Sequence, residues 1–201
     1  LKEAEVHQRI VISLPFGIAA AVLLALPVLA SATETQRKYV GTKKCRMCHR
    51  KTEQGEQWVI WSKSKHAKAW ETLATPKAKE FAAKAGVADP QTDPKCIKCH
   101  VTAYNVDPKY LGSRYHKEDG VGCESCHGPG GDYAKKSVMK KLISGQIEPA
   151  SVGMIFPPDK KVCIECHNAE SPAYKGFNFE EYKKKIAHPI PEARKARYKK
   201  G

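Results

Sequence analysis

The 201-residue chain has eight cysteines, and none of them stands outside a repeated unit. They fall in Cys45-Arg46-Met47-Cys48-His49, Cys96-Ile97-Lys98-Cys99-His100, Cys123-Glu124-Ser125-Cys126-His127 and Cys163-Ile164-Glu165-Cys166-His167. Two thiols at this spacing can form thioethers to both vinyl groups of one haem, while the imidazole that follows reaches the iron. Disulfides would leave the histidine after every second cysteine unexplained. Zinc ribbons have no need of that histidine, and a thioredoxin-like C-x-x-C comes singly within a βαβ pattern that is absent here. The expected cofactors are therefore four covalently bound haem c groups. Cys45, Cys48, Cys96, Cys99, Cys123, Cys126, Cys163 and Cys166 would attach them, with His49, His100, His127 and His167 on the irons.

The second axial ligand decides what such an iron does. A histidine gives a six-coordinate, low-spin centre for electron transfer, and an open side leaves room for a small ligand. Outside the motifs stand His66, His116 and His188, together with His7 ahead of a long apolar run. Three histidines cannot cap four irons. His66 shares an apolar helical face with Trp70, and His188 ends a helix before Pro189; both are expected ligands. His116, in a polar loop, reads as a ligand or as an ordinary surface side chain. Met139 and Met154 read as core fillers or as thioether ligands.

The elements that must position these groups are helical. Lys63 to Leu73 carries His66, Ala69, Trp70 and Leu73 at helical spacing. Thr75-Pro76 opens a second helix that ends near Gly86. Asn178 to Ala187 forms a third, with Asn178 and Glu181 spaced as a capping box and Phe179, Tyr182 and Ile186 on one face. Residues 87–95, 104–122 and 144–161 read as loops. The expected fold class is mainly α, with little or no sheet.

Composition supports cofactors as core. From Thr33 onward Val, Ile, Leu and Phe number 24 of 169 residues, about 14 %, below the roughly 20 % at which a highly charged chain is expected to be disordered. Large apolar cofactors would offset the conformational entropy that so few side chains cannot. At the start, a charged stretch to Arg9, an apolar run from Ile10 to Leu29 and Ala30-Ser31-Ala32 have the anatomy of a signal peptide over 1–32. A run of that length can also serve as an uncleaved anchor, the one way this reading reaches a membrane. Residues 33–190 then form the tetrahaem domain, periplasmic or on the outer face of the cytoplasmic membrane, and 191–201 a basic mobile tail. Eight propionates and four ferric porphyrin centres would take the formal +14 to about +10, a balance suited to an acidic redox partner rather than nucleic acid.

Lys43-Lys44-Cys45 with His49, Trp61, His66-Ala67-Lys68-Ala69 and Leu73 resembles the opening of the cytochrome c554 family of ammonia-oxidising bacteria. Cys96 to Val101, the run from Gly120 to Gly130, and the fourth motif with its Phe-rich helix and His188 are similar too. The resemblance implies a largely helical tetrahaem electron carrier with stacked and perpendicular haem pairs. It implies three irons with two histidines and a second haem that is five-coordinate. By position, His66 would cap the third haem and His188 the fourth. The family's ligand to the first haem follows the Gly-Pro-Gly, where Gly131 to Lys141 holds no histidine, so His116, Met139 or an open site must serve. The family's partner is hydroxylamine oxidoreductase; other acidic-surfaced cytochromes or quinone-linked membrane proteins fit the same chemistry. The expected function is electron relay between redox partners. The alternatives are reduction of a small nitrogen oxide such as nitric oxide at an open iron, which would make the chain an enzyme, and a haem subunit of a membrane complex or filament.

Overall fold

The structure, a computed structural model, describes residues 36–191. The expected signal peptide or anchor and the tail from residue 192 lie outside the described residues. Within them the chain is helical, and its one β contact is an isolated parallel bridge between Tyr39 and Leu111. In chain order the α-helices are α1 Thr42–His49, α2 Gln57–Ser62, α3 Ala69–Leu73, α4 Pro76–Lys84, α5 Pro94–His100, α6 Cys123–His127, α7 Lys136–Ser144, α8 Lys160–Ile164 and α9 Phe179–Ile186. None exceeds nine residues, below the length at which a helix holds itself together in water. Their stability must come from tertiary contacts and from attachment.

Local chemistry starts several of them. The Asp93 side chain accepts from Lys95 N ahead of α5, with Pro94 in the first turn, and Asp159 does the same for Lys161 N and Val162 N ahead of α8. Thr75 caps α4 through Ala78 N at 3.2 Å, and Gly86 ends that segment at φ 67°. Asn178 caps α9 through Glu181 N at 3.2 Å. The caps of α4 and α9 match the expected helices, whereas those of α5 and α8 start helices beside stretches read as loops.

The segment around His66 differs. Instead of one helix from Lys63 to Leu73, turns separate α2 from α3, and His66 sits in them. The reason is tertiary. The His66 carbonyl accepts Ala69 N at 3.1 Å and Val121 N at 3.0 Å, so the approach to the third motif occupies an acceptor that a continuous helix would use for Trp70. Gly120 permits this approach, because a Cβ there would stand 2.7 Å from the His66 oxygen.

The chain's own apolar core is small. Among the described residues the buried apolar side chains are Ala69, Leu73, Ala82, Val87, Val101, Tyr133 and Leu142, and no large side chain is fully buried. Four of these seven are alanine or valine, which bury little apolar area.

Candidate functional site

The four motifs occupy α1, α5, α6 and the α8 turn. A helical start puts each cysteine pair one turn apart on one side. The histidine that closes each motif is then oriented from outside. His49 Nδ1 lies 3.1 Å from Gln57 Oε1, His100 Nδ1 2.8 Å from the Ala69 carbonyl oxygen, and His127 Nδ1 3.1 Å from that of Ile155. Carbonyl oxygens only accept, so Nδ1 carries the proton in each case and Nε2 keeps its lone pair for a metal. An acceptor hydrogen-bonded to the far nitrogen in this way is the usual means of aiming an imidazole at iron. The rings are steadied as well. Phe177 stacks on His167 at 4.7 Å and 16°, and Phe156 on His127 at 6.1 Å and 21°. The donor set thus fits haem c: two thiols, and an imidazole presented as the neutral tautomer.

Two of the motif imidazoles face a second one. His66 and His167 have ring centroids 6.0 Å apart, and so do His127 and His188. With about 2 Å from metal to imidazole nitrogen and about 1 Å more to the ring centre, rings facing across one iron stand roughly 6 Å apart. The pairing is the reverse of that carried over from the resemblance: His66 lies against the fourth motif and His188 against the third. The turn that holds His66 is pinned at Val121 N by a 3.0 Å hydrogen bond, and its ring lies beside that of His167. Burial keeps these rings uncharged. Desolvation, then the facing His167, lowers the His66 pKa. His127 and His167 are lowered chiefly by desolvation. His188 is pushed down to about 4 by desolvation and by the nearby His127 and His49. A neutral imidazole is the form that binds iron.

The thiols fall into a series. The nearby Cys123 thiol, together with burial, raises the Cys45 pKa far above the thiol range, and α1 packs on α6. The nearby Cys166 thiol draws Cys99 down to about 7, while Cys166 is pushed up by Cys99 and by burial; Lys98 between the second pair of cysteines is paired with Glu170 just beyond the fourth motif. Cys126 is pushed up to about 11 by burial and by its neighbour Cys163, and α6 packs on α8. The attachment sites therefore adjoin in the order first, third, fourth, second.

A family model described as Cytochrome c554 and c-prime matches residues 44–128. Cytochrome c-554 of Nitrosomonas europaea is 34% identical over 174 residues, which cover 80% of this chain and 70% of that protein. The chain belongs to the cytochrome c554 family. The reduced-state structure of cytochrome c554 from Nitrosomonas europaea is 28% identical, with a TM-score of 0.49 over 74% of this chain and 78% of that one. As a member of the cytochrome c554 family this chain is a haem c cytochrome of electron transfer, and redox proteins are its partners.

Other residues of this cytochrome c554 family member stand where sequence reasoning left them open or missed them. His116 is exposed, caps a 3-10 turn over Lys117–Asp119, and meets no motif histidine ring among the described residues. Met139 is half-buried on α7, and Met154 half-buried just beyond a 3-10 turn. The largest omission is Glu124 inside the third motif. It is only 4% exposed, and its carboxylate accepts from Val40 N at 2.8 Å, Gly41 N at 2.7 Å and Gly130 N at 2.6 Å. It ties the start of α1 to the Gly-Pro-Gly after α6, so one side chain holds the first and third motifs together. An acid inside a haem motif, followed by two glycines, was its sequence signal. The orienting acceptors Gln57 and Ile155 O, and the stacked Phe156, left no pattern to find.

Proposed function

We propose that this chain is a four-haem electron relay exported beyond the cytoplasmic membrane, with His66 as the second ligand at the fourth motif and His188 at the third. The observation that carries the reading is the contiguity of the four motifs, first to third to fourth to second: α1 packs on α6 and α6 on α8, and Lys98 of the second motif pairs with Glu170 just beyond the fourth. Haem c, when bound, supplies a one-electron ferric–ferrous couple. The chain's own residues do the rest. The thiols fix the spacing, Gln57, Ala69 O and Ile155 O aim three imidazoles, and the two facing pairs suit low-spin centres with little reorganisation. Among the described residues no helix is long and apolar enough to cross a membrane. The donor and acceptor are redox proteins, a hydroxylamine-oxidoreductase-like enzyme among them.

The test is kinetic. The purified protein should contain four haems by mass spectrometry, and a protein donor should reduce all of them in one fast phase. Replacing Cys163 and Cys166 by alanine removes a middle member of the series and should split reduction into a fast and a slow phase. A single unchanged phase in that variant would overturn the relay order.

A second reading has its own observation. His49 and His100 meet no second histidine ring among the described residues, which favours small-ligand chemistry such as nitric oxide reduction at an end of the series. Stoichiometric binding of nitric oxide or carbon monoxide by the reduced protein would support it, and no binding at all would remove it.

A further inference from the structure

The two ends of the series differ in charge. Residues 42–51, Thr42 to Lys51, hold five lysines and arginines and no acid. On α1 and its C-cap the residues Lys43, Arg46, Met47 and Arg50 follow at i, i+3, i+4 and i+7, a single helical face, and together they line an open groove beside the exposed Cys48. None of these cations is in an ion pair among the described residues; the nearest acids in sequence, Glu53 and Glu56, sit on the turn that follows. At the other end the cation within the second motif, Lys98, is paired with Glu170. The third motif contributes only a buried acid, Glu124.

The first-motif face is also built. Met47 is 51% exposed at its centre, and Arg114 Nη1 stands 2.7 Å from its sulfur. Arg114 arrives there because Gly41, at φ 81°, carries no side chain; a Cβ would lie 2.1 Å from the Arg114 carbonyl oxygen. Arg46 is held over the Trp58 ring at 4.9 Å. Methionine and arginine at the centre with lysine at the rim is the composition of a protein-docking patch. Ordering the arginines beforehand lowers the entropy lost on association.

Given the relay reading above, we infer that the α1 face formed by Lys43, Arg46, Met47, Arg50 and Arg114 is the docking surface for an acidic redox protein, which exchanges electrons at the first attachment site. One electron leaves the donor and reduces one ferric centre to ferrous; no bond is made or broken. Among the described residues Cys48 is the exposed motif cysteine, which sets this patch apart from other basic stretches such as Lys160-Lys161.

The test uses the holoprotein and reduced flavodoxin as an acidic donor, followed by stopped flow at low and high salt. Lys43→Glu with Arg50→Glu should cut the second-order rate at low salt roughly tenfold and flatten its salt dependence. Lys77→Glu with Lys79→Glu on α4 makes the same change in net charge and should have a much smaller effect. Haem content and the optical spectrum check the fold of each variant, and Arg114→Gln, milder in charge, should lower the rate in the same direction. Equal losses in the α1 and α4 pairs, or none in either, would overturn the docking face while leaving the relay intact. Failure of the wild type to take electrons from any protein donor would instead sink the relay reading. Binding of phosphatidylglycerol vesicles that is lost only in the α1 pair would make the patch a lipid-surface site and also overturn the proposal.

Discussion

At the scale of single residues, the imidazoles carry the clearest expectations. His66→Ala and His188→Ala should each convert one low-spin iron to high spin, counted by electron paramagnetic resonance, without loss of attached haem. The facing pairs at 6.0 Å also say which iron changes. In a background lacking Cys163 and Cys166, His66→Ala should leave the remaining irons unchanged, whereas His188→Ala should still convert one. A conversion by His66→Ala in that background would return His66 to the third motif. His116→Ala should alter no spin state, because its ring is exposed and meets no motif imidazole. Half-buried Met139 is then the side chain to replace by leucine when asking what, if anything, caps the first haem.

At the scale of elements, Glu124 matters more than any helix-forming tendency. Short helices such as α1 and α6 hold together through what joins them, and this carboxylate takes three backbone N–H groups from two separate segments. Desolvation raises its pKa, and the three N–H bonds oppose that shift. Glu124→Ala would strand those donors and should destabilise the folded protein by roughly 3 kcal/mol. Glu124→Gln should cost less, since its amide oxygen still accepts. Thermal unfolding of the holoprotein measures both, and equal midpoints for wild type and Glu124→Ala would show that the clamp is not needed. The same scale explains the one element misread from periodicity. The apolar spacing of His66, Ala69, Trp70 and Leu73 is real, but a contact with Val121, distant in sequence, spends the carbonyl that a helix required.

At the scale of the whole molecule, seven buried apolar side chains, four of them alanine or valine, cannot offset the ordering of a chain of this length. A chain starting at Thr33 and produced without haem attachment should therefore lack cooperative helical structure by circular dichroism; a cooperative apo-protein would show the side chains sufficient. Acid should weaken the holoprotein. His188 is held at about 4 against 6.5 for a free imidazole, and His66, His127 and His167 are shifted the same way. Between those values the unfolded chain binds protons that the folded one refuses, so stability rises with pH across that window. Coordination to iron lowers the folded value further and widens the window in the same direction. The thermal midpoint should climb from pH 4 to 6.5, with a shallower climb in His188→Ala. A flat profile would mean that these rings are not buried as neutral bases.

The family's covalent haem c chemistry was legible in one dimension because a C-x-x-C-H unit needs only its own turn of backbone; that each of the four units takes one haem is the proposal made above. Caps were legible for the same reason, as at Thr75 and Asn178. Family membership followed from runs such as Gly120 to Gly130. What only the tertiary structure decided is every relation between motifs. Which distal imidazole faces which proximal one, which thiols adjoin, where Glu124 reaches and which cations stay unpaired all depend on contacts across tens of residues. The reversal of His66 and His188 shows the point. Their identity as the spare histidines is a matter of counting, but their partners follow from where Val121 and Gly120 hold one turn of the chain.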